Sequence, residues 1–255
     1  MGGIRHHLID IIEPDEEWSV SRFATLAGEA IDGIYARGHI PMLVGGTGFY
    51  IQSVLYDIDF TDEDCDTALR DELQREAEAK GALWLHDRLK ELDPESAAAI
   101  HPNNIKRVIR AIEYYRHTGE KISDHNKRER EKSSPYNYAY MVLTPDRQTL
   151  YDRIDKRVDL MMGSGLLEEV RALKARGYDR SYVSMQGLGY KELLDYLDGL
   201  CSLEEAVRVL KRDTRHFAKR QLTWFKREED VHYFNPLSEG CYDEILKLLQ
   251  DKHII

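Results

Sequence analysis

The chain has 255 residues, of which 42% are hydrophobic and 32% are charged, and its formal net charge is -10. This composition is typical of a globular protein with one large domain, or with a core that carries an inserted second domain. The sequence has no apolar run of the roughly 18 residues that span a membrane, and its three cysteines form no C-x-x-C pair. We therefore expect the protein to reside in a reducing cytoplasm. We expect no membrane anchor, no disulfide framework and no zinc site. The acidic total excludes a protein that is basic throughout, so a nucleic-acid partner would require locally clustered cations.

The N-terminal region predicts a strand, a helix and a second strand. "HHLIDII" (6–12) and "PMLV" (41–44) are the predicted strands, and the helix between them, over 20–37, begins at the N-cap Ser19. This order forms a right-handed parallel crossover. Because two strands cannot bury a parallel sheet, we expect an N-terminal part of the sheet to be missing from this sequence. Two later apolar segments are candidates to extend the sheet: 138–144 and 231–234.

The second predicted strand runs into a Gly-Gly-Thr-Gly turn at 45–48. A glycine-rich turn after a strand often binds phosphate, but the nucleotide-binding version also has a lysine followed by Ser or Thr. No lysine follows Gly46, and no other stretch of the sequence supplies the pattern. Thr47 therefore lies in a turn whose backbone suits an anion or a substrate but which lacks the lysine's charge.

Residues 62–132 have a helical pattern, which predicts a helical insertion between sheet strands. The predicted helices of this insertion are 67–80, 84–92, 94–99 and 104–117. The charged segment that follows ends at Pro135 and is predicted to be a mobile connection back to the core. Three further helices are predicted at 150–163, 165–176 and 203–225.

The predicted helix 203–225 carries a basic stripe. Beyond its first turn Asp213 is its only acid, and the basic residues that recur at helical spacing opposite an apolar face are Arg208, Arg212, Arg215 and Lys219. A solvent-exposed helix normally interleaves acids with its bases, so this stripe favours a polyanion partner over a merely solvated face.

A second basic face is predicted on the helix 104–117. Lys106, Arg107 and Arg110 lie away from its apolar residues, so two separate elements offer cations to a nucleic acid. Tyrosines 114, 115 and 136 are either core residues or stacking surfaces for unpaired bases.

Two further segments each allow a structural and a functional interpretation. Arg153 and Arg157 lie four residues apart on one helical face with acids among them, so they either form intrahelical ion pairs or present an arginine to a phosphate. "MQGLGY" (185–190) has two glycines, which permit close backbone approach to a ligand, whereas a plain helix-entry turn would need only one. The spacing of these residues does not decide between the interpretations.

Together these segments resemble the tRNA dimethylallyltransferase (tRNA isopentenyltransferase) family. The motifs that carry the resemblance follow the family's order and spacing: "HHLIDI", "PMLVGGTGFY", "IHPNNIKRVIRAIE", "LYDRIDKRVDLMM", "MQGLGYKE" and "AKRQLTWFK". The resemblance implies an α/β fold with a P-loop NTPase-like parallel-sheet core, N-terminally truncated, over 1–56 and 135–255. It also implies an all-helical insertion domain over 57–134 that grips the tRNA anticodon stem-loop.

The resemblance further implies a reaction and its partners. A dimethylallyl group passes from dimethylallyl diphosphate to the exocyclic N6 of the adenosine 3′ to the anticodon, with Mg2+, in a bacterial-type, cytoplasmic and monomeric enzyme. By position, Thr47 resembles the residue beside the target adenosine, and Arg157 resembles the arginine that meets the diphosphate. The tRNA-binding candidates that the resemblance implies are Thr47, Arg70, Lys106, Arg107, Val108, Ile109, Arg110, Met185, Gln186, Gly187, Leu188, Gly189 and Tyr190. The basic stripe adds Arg212, Arg215 and Lys219.

The sequence departs from the family pattern at its start. The family's first strand, its phosphate loop with Lys and Ser/Thr, and the Asp that takes the proton of the target amine all precede the "HHLID" segment. We therefore expect residues 1–255 by themselves to bind diphosphate poorly and to show no transfer. Two other functions stay open: a non-catalytic RNA-binding remnant, and an adenylate isopentenyltransferase that modifies a free nucleotide. The long insertion and the two basic helices favour tRNA over a mononucleotide.

Overall fold

A computed structural model describes residues 2–60 and 67–255 of the chain. It divides into two compact units: unit 1 comprises Met1–Ile51 and Tyr136–Ile255, and unit 2 comprises Gln52–Pro135. The predicted start of the insertion at Asp62 and the cysteine Cys65 lie outside the described residues. Among those residues, no helix has both the length and the apolar character of a membrane span.

Helices dominate both units. In chain order the elements are α1 (Val20–Ala36), α2 (Gly48–Leu55), α3 (Thr67–Lys80), α4 (Ala82–Leu92), α5 (Pro94–Ala99), α6 (Ile105–Thr118), α7 (Ile122–Glu131), β1 (Tyr140–Leu143), α8 (Arg147–Gly163), α9 (Leu166–Ala175), a 3-10 turn (Ser184–Gln186), α10 (Tyr190–Leu197), α11 (Leu203–Phe225), β2 (Val231–Phe234) and α12 (Cys241–Asp251).

Unit 2 has an apolar core between α3, α4 and α6. Leu73, Leu85, Leu89, Val108 and Ile112 are each fully buried in it. The helical spacing of their apolar positions places them on the inner faces of their helices, which is why the sequence predicts these helices to within about two residues of their ends.

The prediction of a mobile connection after α6 is wrong, because α7 occupies most of that segment. A buried carboxylate holds its first turn: the backbone N–H of Ser123 donates to Asp93 Oδ2 over 3.0 Å. Glu129 accepts from the Asp59 backbone N–H over 2.8 Å. The sequence of this segment is as charged as a solvated linker. Its helix is nevertheless ordered, because its polar groups form hydrogen bonds with residues far away in the chain.

Asp93 is the polar anchor of unit 2. It is fully buried, caps α5 by accepting from the Ser96 backbone N–H and hydroxyl, and also accepts from Ser123. Burial alone would raise its pKa, but these donors outweigh burial and hold the pKa of Asp93 below its ordinary value. A depressed folded-state pKa stabilises the protein above the unfolded-state pKa, and the contribution is lost as the pH falls through the folded-state value.

We expect Asp93→Ala to lower the free energy of unfolding at neutral pH by about 2 kcal/mol, since a helix cap is removed and buried donors are left unpaired. Urea denaturation at pH 7 measures the change. The control is Asp146→Ala, which removes the N-cap of α8 at an exposed position and is expected to cost about 1 kcal/mol or less. The difference in the free energy of unfolding between the two variants should become smaller as the pH is lowered. Equal reductions in stability at pH 7 would contradict a special role for Asp93.

Unit 1 contains a two-stranded parallel sheet within the described residues. β1 pairs with β2 in the register Tyr140–Val231 to Leu143–Phe234, which confirms the two strands predicted from the later apolar segments. A separate apolar core joins α8, α9, the 3-10 turn, α10 and α11. Its most deeply buried members are Val158, Val170, Met185, Leu193, Leu194, Ala206 and Leu210. This core fixes the relative positions of the elements that carry several candidate residues.

The two N-terminal strands predicted from the sequence are absent from this sheet. The segments 6–12 and 41–44 have an irregular backbone, and Met42 and Val44 expose 74% and 87% of their surface. An apolar run indicates a preference for burial, but a strand forms only where a neighbouring strand accepts and donates its hydrogen bonds. The described strands, β1 and β2, pair with each other and not with these segments.

Candidate functional site

The Gly-Gly-Thr-Gly turn, 45–48, is fixed to α11. The side-chain amide of Gln221 donates from Nε2 to the Gly46 carbonyl over 2.9 Å. A Cβ at Gly46 would overlap the Gln221 amide, and a Cβ at Gly48 would overlap the Trp224 indole. Close packing on the indole therefore requires glycine at position 48, and a side chain at position 46 would displace the Gln221 amide.

Thr47 lies at the exposed tip of this turn. Its carbonyl accepts from the N–H groups of Tyr50 and Ile51 over 3.0 and 3.2 Å, so its backbone begins α2. Its hydroxyl has no hydrogen-bond partner among the described residues, and the residue is exposed. A fixed backbone and an available hydroxyl suit an interaction with a substrate.

A cationic cavity lies on the C-terminal half of α11. Its volume is about 420 Å³, and its lining residues are His216, Lys219, Arg220, Thr223, Trp224 and Arg227. Within the described ranges 2–60 and 67–255, the charged ends of Lys219, Arg220 and Arg227 have no carboxylate partner, and Arg220 lies over the Phe217 ring at 5.5 Å. Such cations around a cavity lined by no acid suit an anionic ligand.

The rest of the basic stripe on α11 is paired with acids. Arg208 donates to Glu205, Arg212 to Asp213, and Arg215 to Asp155 of α8. Of the four cations that we predicted to face a polyanion, Lys219 alone has no acidic partner in the described part of the chain. An RNA phosphate at Arg212 would compete with the Asp213 carboxylate, and one at Arg215 would compete with the Asp155 carboxylate. Helical spacing alone did not reveal these pairs.

Intrahelical ion pairs of Arg153 and Arg157, one of the two interpretations that the sequence left open, are absent from the described part of α8. The acids of α8 pair with bases of α11 instead, Asp155 with Arg215 and Asp159 with Lys211, the latter over 2.6 Å. Arg153 and Arg157 consequently have no carboxylate partner among the residues described and are exposed. Val158, next to Arg157, is 3% exposed and anchors α8 in the core. Arg157 is thus a cation on a firmly packed helix, available to a ligand.

The segment 185–190 is partly core. Met185 is 1% exposed and belongs to the apolar cluster, so its side chain packs in the core, and its assignment to tRNA binding stays a prediction. Gly189 is buried with φ near 100°, a backbone conformation that glycine adopts without strain. Gln186 and Gly187 are exposed and Leu188 is half-buried. The exposed surface of this segment is therefore formed by Gln186 and Gly187.

Tyr190 is held by α9. Its hydroxyl forms a hydrogen bond with Glu169, and burial, followed by this bond, raises the pKa of Tyr190 to about 12. The phenol therefore stays protonated at neutral pH, which excludes it as a general base.

The candidates in unit 2 divide in the same way. Val108 and Ile109 are 0% and 3% exposed, so their side chains belong to the core, and their assignment to tRNA binding stays a prediction. Lys106, Arg107 and Arg110 are exposed on the opposite face of α6. Among the predicted tRNA-binding residues of α6, the exposed side chains are therefore the three cations.

Arg70 has a structural partner. Its Nη2 donates to Glu113 Oε1 and Oε2 over 3.0 and 2.8 Å, and the Glu113 side chain is 1% exposed. The predicted interaction between Arg70 and tRNA remains a prediction, but the guanidinium already neutralises a buried carboxylate.

Gln221, Trp224, Arg220 and Arg227 were missed as site residues. The motif "AKRQLTWFK" contains three of them, and the positions 216, 220, 223, 224 and 227 recur at the three- and four-residue spacing of one helical face. That periodicity could have identified the cavity. The packing against the glycine turn depends on the tertiary structure.

A sequence model of the family described as IPP transferase matches residues 1–228 of the chain. The chain belongs to this family. It is 59% identical over its whole length to a tRNA dimethylallyltransferase of Lachnoclostridium phytofermentans and covers 83% of that protein. It is 51% identical over 97% of its length to a tRNA dimethylallyltransferase of Acetivibrio thermocellus and covers 79% of that protein.

Solved structures agree with this membership. The tRNA isopentenylpyrophosphate transferase of Bacillus halodurans matches 99% of the chain with a TM-score of 0.70 and 44% identity, and the match covers 79% of that structure. A eukaryotic dimethylallyltransferase acting on tRNA matches 99% of the chain with a TM-score of 0.83 and 28% identity, over 66% of its own chain. The fold is accordingly mostly helical with a small parallel sheet and matches the P-loop-like fold of these structures, which confirms the predicted fold class.

Proposed function

We propose that this IPP transferase modifies tRNA by transferring a dimethylallyl group from dimethylallyl diphosphate to N6 of the adenosine 3′ to the anticodon. A bond forms between N6 and C1 of the dimethylallyl group, the bond from C1 to the diphosphate oxygen breaks with its electron pair leaving on the diphosphate, and the proton of N6 passes to a base. The observation that carries the proposal is the exposed Thr47 hydroxyl on a turn fixed to α11, the helix that carries an acid-free cationic cavity. Family membership supports the same reaction.

The departing diphosphate requires a fixed positive charge. Arg157 is exposed, lacks an acidic partner among residues 2–60 and 67–255, and lies on a helix anchored by Val158. A guanidinium that meets the leaving group lowers the barrier because negative charge increases there in the transition state. We therefore assign Arg157 to the diphosphate.

The acceptor adenosine requires positioning rather than charge. Thr47 offers a hydroxyl that can donate to or accept from a base edge, on a backbone held from both sides. We assign Thr47 to the adenosine.

Binding of the RNA backbone is assigned to exposed cations on two helices. These are Lys219, Arg220 and Arg227 around the cavity in unit 1 and, on the exposed face of α6 in unit 2, Lys106, Arg107 and Arg110. Interactions of this kind act equally in the ground and transition states, so they set RNA affinity and its salt dependence.

We expect Lys219→Ala combined with Arg220→Ala to weaken tRNA binding without changing the rate at saturating RNA. The slope of log K against log salt should become shallower by about 1.4, because each phosphate neutralised on a single strand contributes about 0.7 to the slope. Titrations at several salt concentrations measure the slope. The matched control, Arg208→Ala with Arg212→Ala, removes two arginines already paired with acids and is expected to change the slope less. Equal slopes for the two double variants would contradict the assignment of the cavity cations.

The proposed reaction is tested with the complete gene product, dimethylallyl diphosphate and an anticodon stem-loop RNA. Mass spectrometry should detect one dimethylallyl group on the adenosine 3′ to the anticodon. Modification of free adenylate but not of the stem-loop would support the adenylate isopentenyltransferase alternative. Salt-dependent RNA binding without any product would support the RNA-binding alternative.

Magnesium, which the family resemblance implies, is also a proposal. Among the described residues, no group of three or more His, Cys, Asp or Glu side chains is arranged to hold a metal ion. A cytoplasmic location and a monomeric state are proposed as well. The free thiols of Cys201 and Cys241 agree with a reducing compartment.

A further inference from the structure

Gln221 lies where α11 meets the turn that carries Thr47. Its amide donates to the Gly46 carbonyl, the group immediately before Thr47 in the chain. It is half-buried, and a Cβ at Gly46 would overlap its amide. The interaction therefore combines a directed hydrogen bond with close packing, and it joins residues 175 positions apart.

The other side of Thr47 is held by Trp224. The indole packs so closely on Gly48 that a Cβ there would overlap Nε1. That Nε1 is buried without a hydrogen-bond partner in the described part of the chain. A buried unpaired donor carries a free-energy cost, so hydrogen bonding does not explain the position of this indole, whereas its close packing on the turn does.

The hydrogen bond from Gln221 is thus the one directed polar interaction between α11 and this turn in the described residues. Without it, the peptide 46–47 could rotate, because glycines on both sides of Thr47 permit backbone conformations that other residues avoid. Rotation of that peptide would carry the Thr47 hydroxyl away from its present direction. A displacement of about 1 Å at a reacting group can cost about 100-fold in rate.

We infer that Gln221 is a positioning residue for the transfer reaction, acting through the Gly46 carbonyl to hold the Thr47 hydroxyl in place. The inference rests on the proposed interaction of Thr47 with the adenosine. Gln221 itself acts on the protein backbone, so its removal changes the rate of transfer rather than the affinity for RNA. The same hydrogen bond makes the geometry at Thr47 depend on α11, the helix that carries the cationic cavity.

Gln221→Met in the complete gene product keeps the length of the side chain and removes the donor. We expect the single-turnover rate at saturating RNA and diphosphate to fall about tenfold, with RNA affinity changed less than about twofold. In a Thr47→Val background the same substitution should cost less than about twofold, because its effect passes through Thr47. Gln148→Met is the control, since the side-chain amide of Gln148 donates to Asp152, one turn away on the surface of α8. It should leave rate and affinity unchanged.

Each outcome separates the inference from the function on which it rests. If Thr47→Val has no effect on the rate, the role of Thr47 is wrong and the inference falls with it. If Thr47→Val slows transfer, three results for Gln221→Met would show that the inference alone is wrong. These are an unchanged rate, an equal loss of rate in the wild-type and Thr47→Val backgrounds, and weaker RNA binding with no change in rate. Should Gln221→Met unfold, Gly46→Ala places a Cβ where the Gln221 amide now lies, so it displaces that amide from the Gly46 carbonyl with Gln221 present, and it is expected to show the same coupling to Thr47→Val. Additive effects of Gly46→Ala and Thr47→Val would also overturn it.

Discussion

Arg157→Ala is expected to lower the single-turnover rate at saturating RNA by about 100-fold, while tRNA affinity changes less than about twofold. The guanidinium is exposed and lacks an acidic partner within the described residues, so its removal leaves no buried acid unpaired and should not destabilise the fold. The substitution acts where negative charge develops on the departing diphosphate. Rapid-quench measurements on the complete gene product give the rate, and a binding titration gives the affinity.

Arg153→Ala is the matched control for this prediction. Arg153 is one turn away on α8, also exposed and also without an acidic partner in the described ranges, so both variants remove one positive charge from the same helix. A general effect of net charge would slow both variants alike. Weakened RNA binding in Arg157→Ala with an unchanged saturated rate would show that Arg157 contacts RNA instead of diphosphate.

Arg70→Ala is expected to destabilise unit 2 by about 2–3 kcal/mol, because it leaves the Glu113 carboxylate buried without its guanidinium partner. The value lies at the lower end of the range for buried pairs, since the Arg70 side chain is 41% exposed while Glu113 is 1% exposed. Urea denaturation gives the change in the free energy of unfolding, and hydrogen exchange of the α6 amides locates it within unit 2.

Arg75→Ala provides the control on the same helix, since Arg75 donates to the Asp71 carbonyl at the surface and its removal is expected to cost less than about 0.5 kcal/mol. Glu113→Gln removes the buried charge, so Arg70→Ala should cost much less in that background. The same destabilisation in both backgrounds would contradict the ion-pair explanation. If Arg70→Ala reduces RNA affinity in the Glu113→Gln background, the predicted interaction with tRNA gains support.

The helices of this protein are largely predictable from sequence because each depends on local periodicity and caps. The bounds of α1, α3, α5 and α11 follow from apolar spacing, from Ser19 and Ser202 as N-caps, and from Pro94 in the first turn of α5. The short helices α2, α10 and α12 were missed. α7 was missed as well, since its charged sequence carries no strong apolar period and Asp93, 30 positions away, holds its start.

The candidate site was predictable in part. Order and spacing of motifs identified the family and pointed to Thr47 and Arg157, and helical spacing identified a basic stripe on α11. The sequence could not reveal that Arg215 and Lys211 pair with acids of α8, because ion pairs between helices depend on how the helices pack. For the same reason it could not reveal that the Met185 side chain is buried.

The sequence by itself determined where most of the helices lie, which family the motifs belong to and which residue types are available for phosphate and adenosine. Only the tertiary structure decided which cations of α8 and α11 pair with acids and that Gln221 and Trp224 hold the turn of Thr47. The physical reason is the separation along the chain between the interacting residues. Helix formation is governed by residues three or four positions apart, whereas ion pairing between helices and close packing depend on residues that only folding brings together.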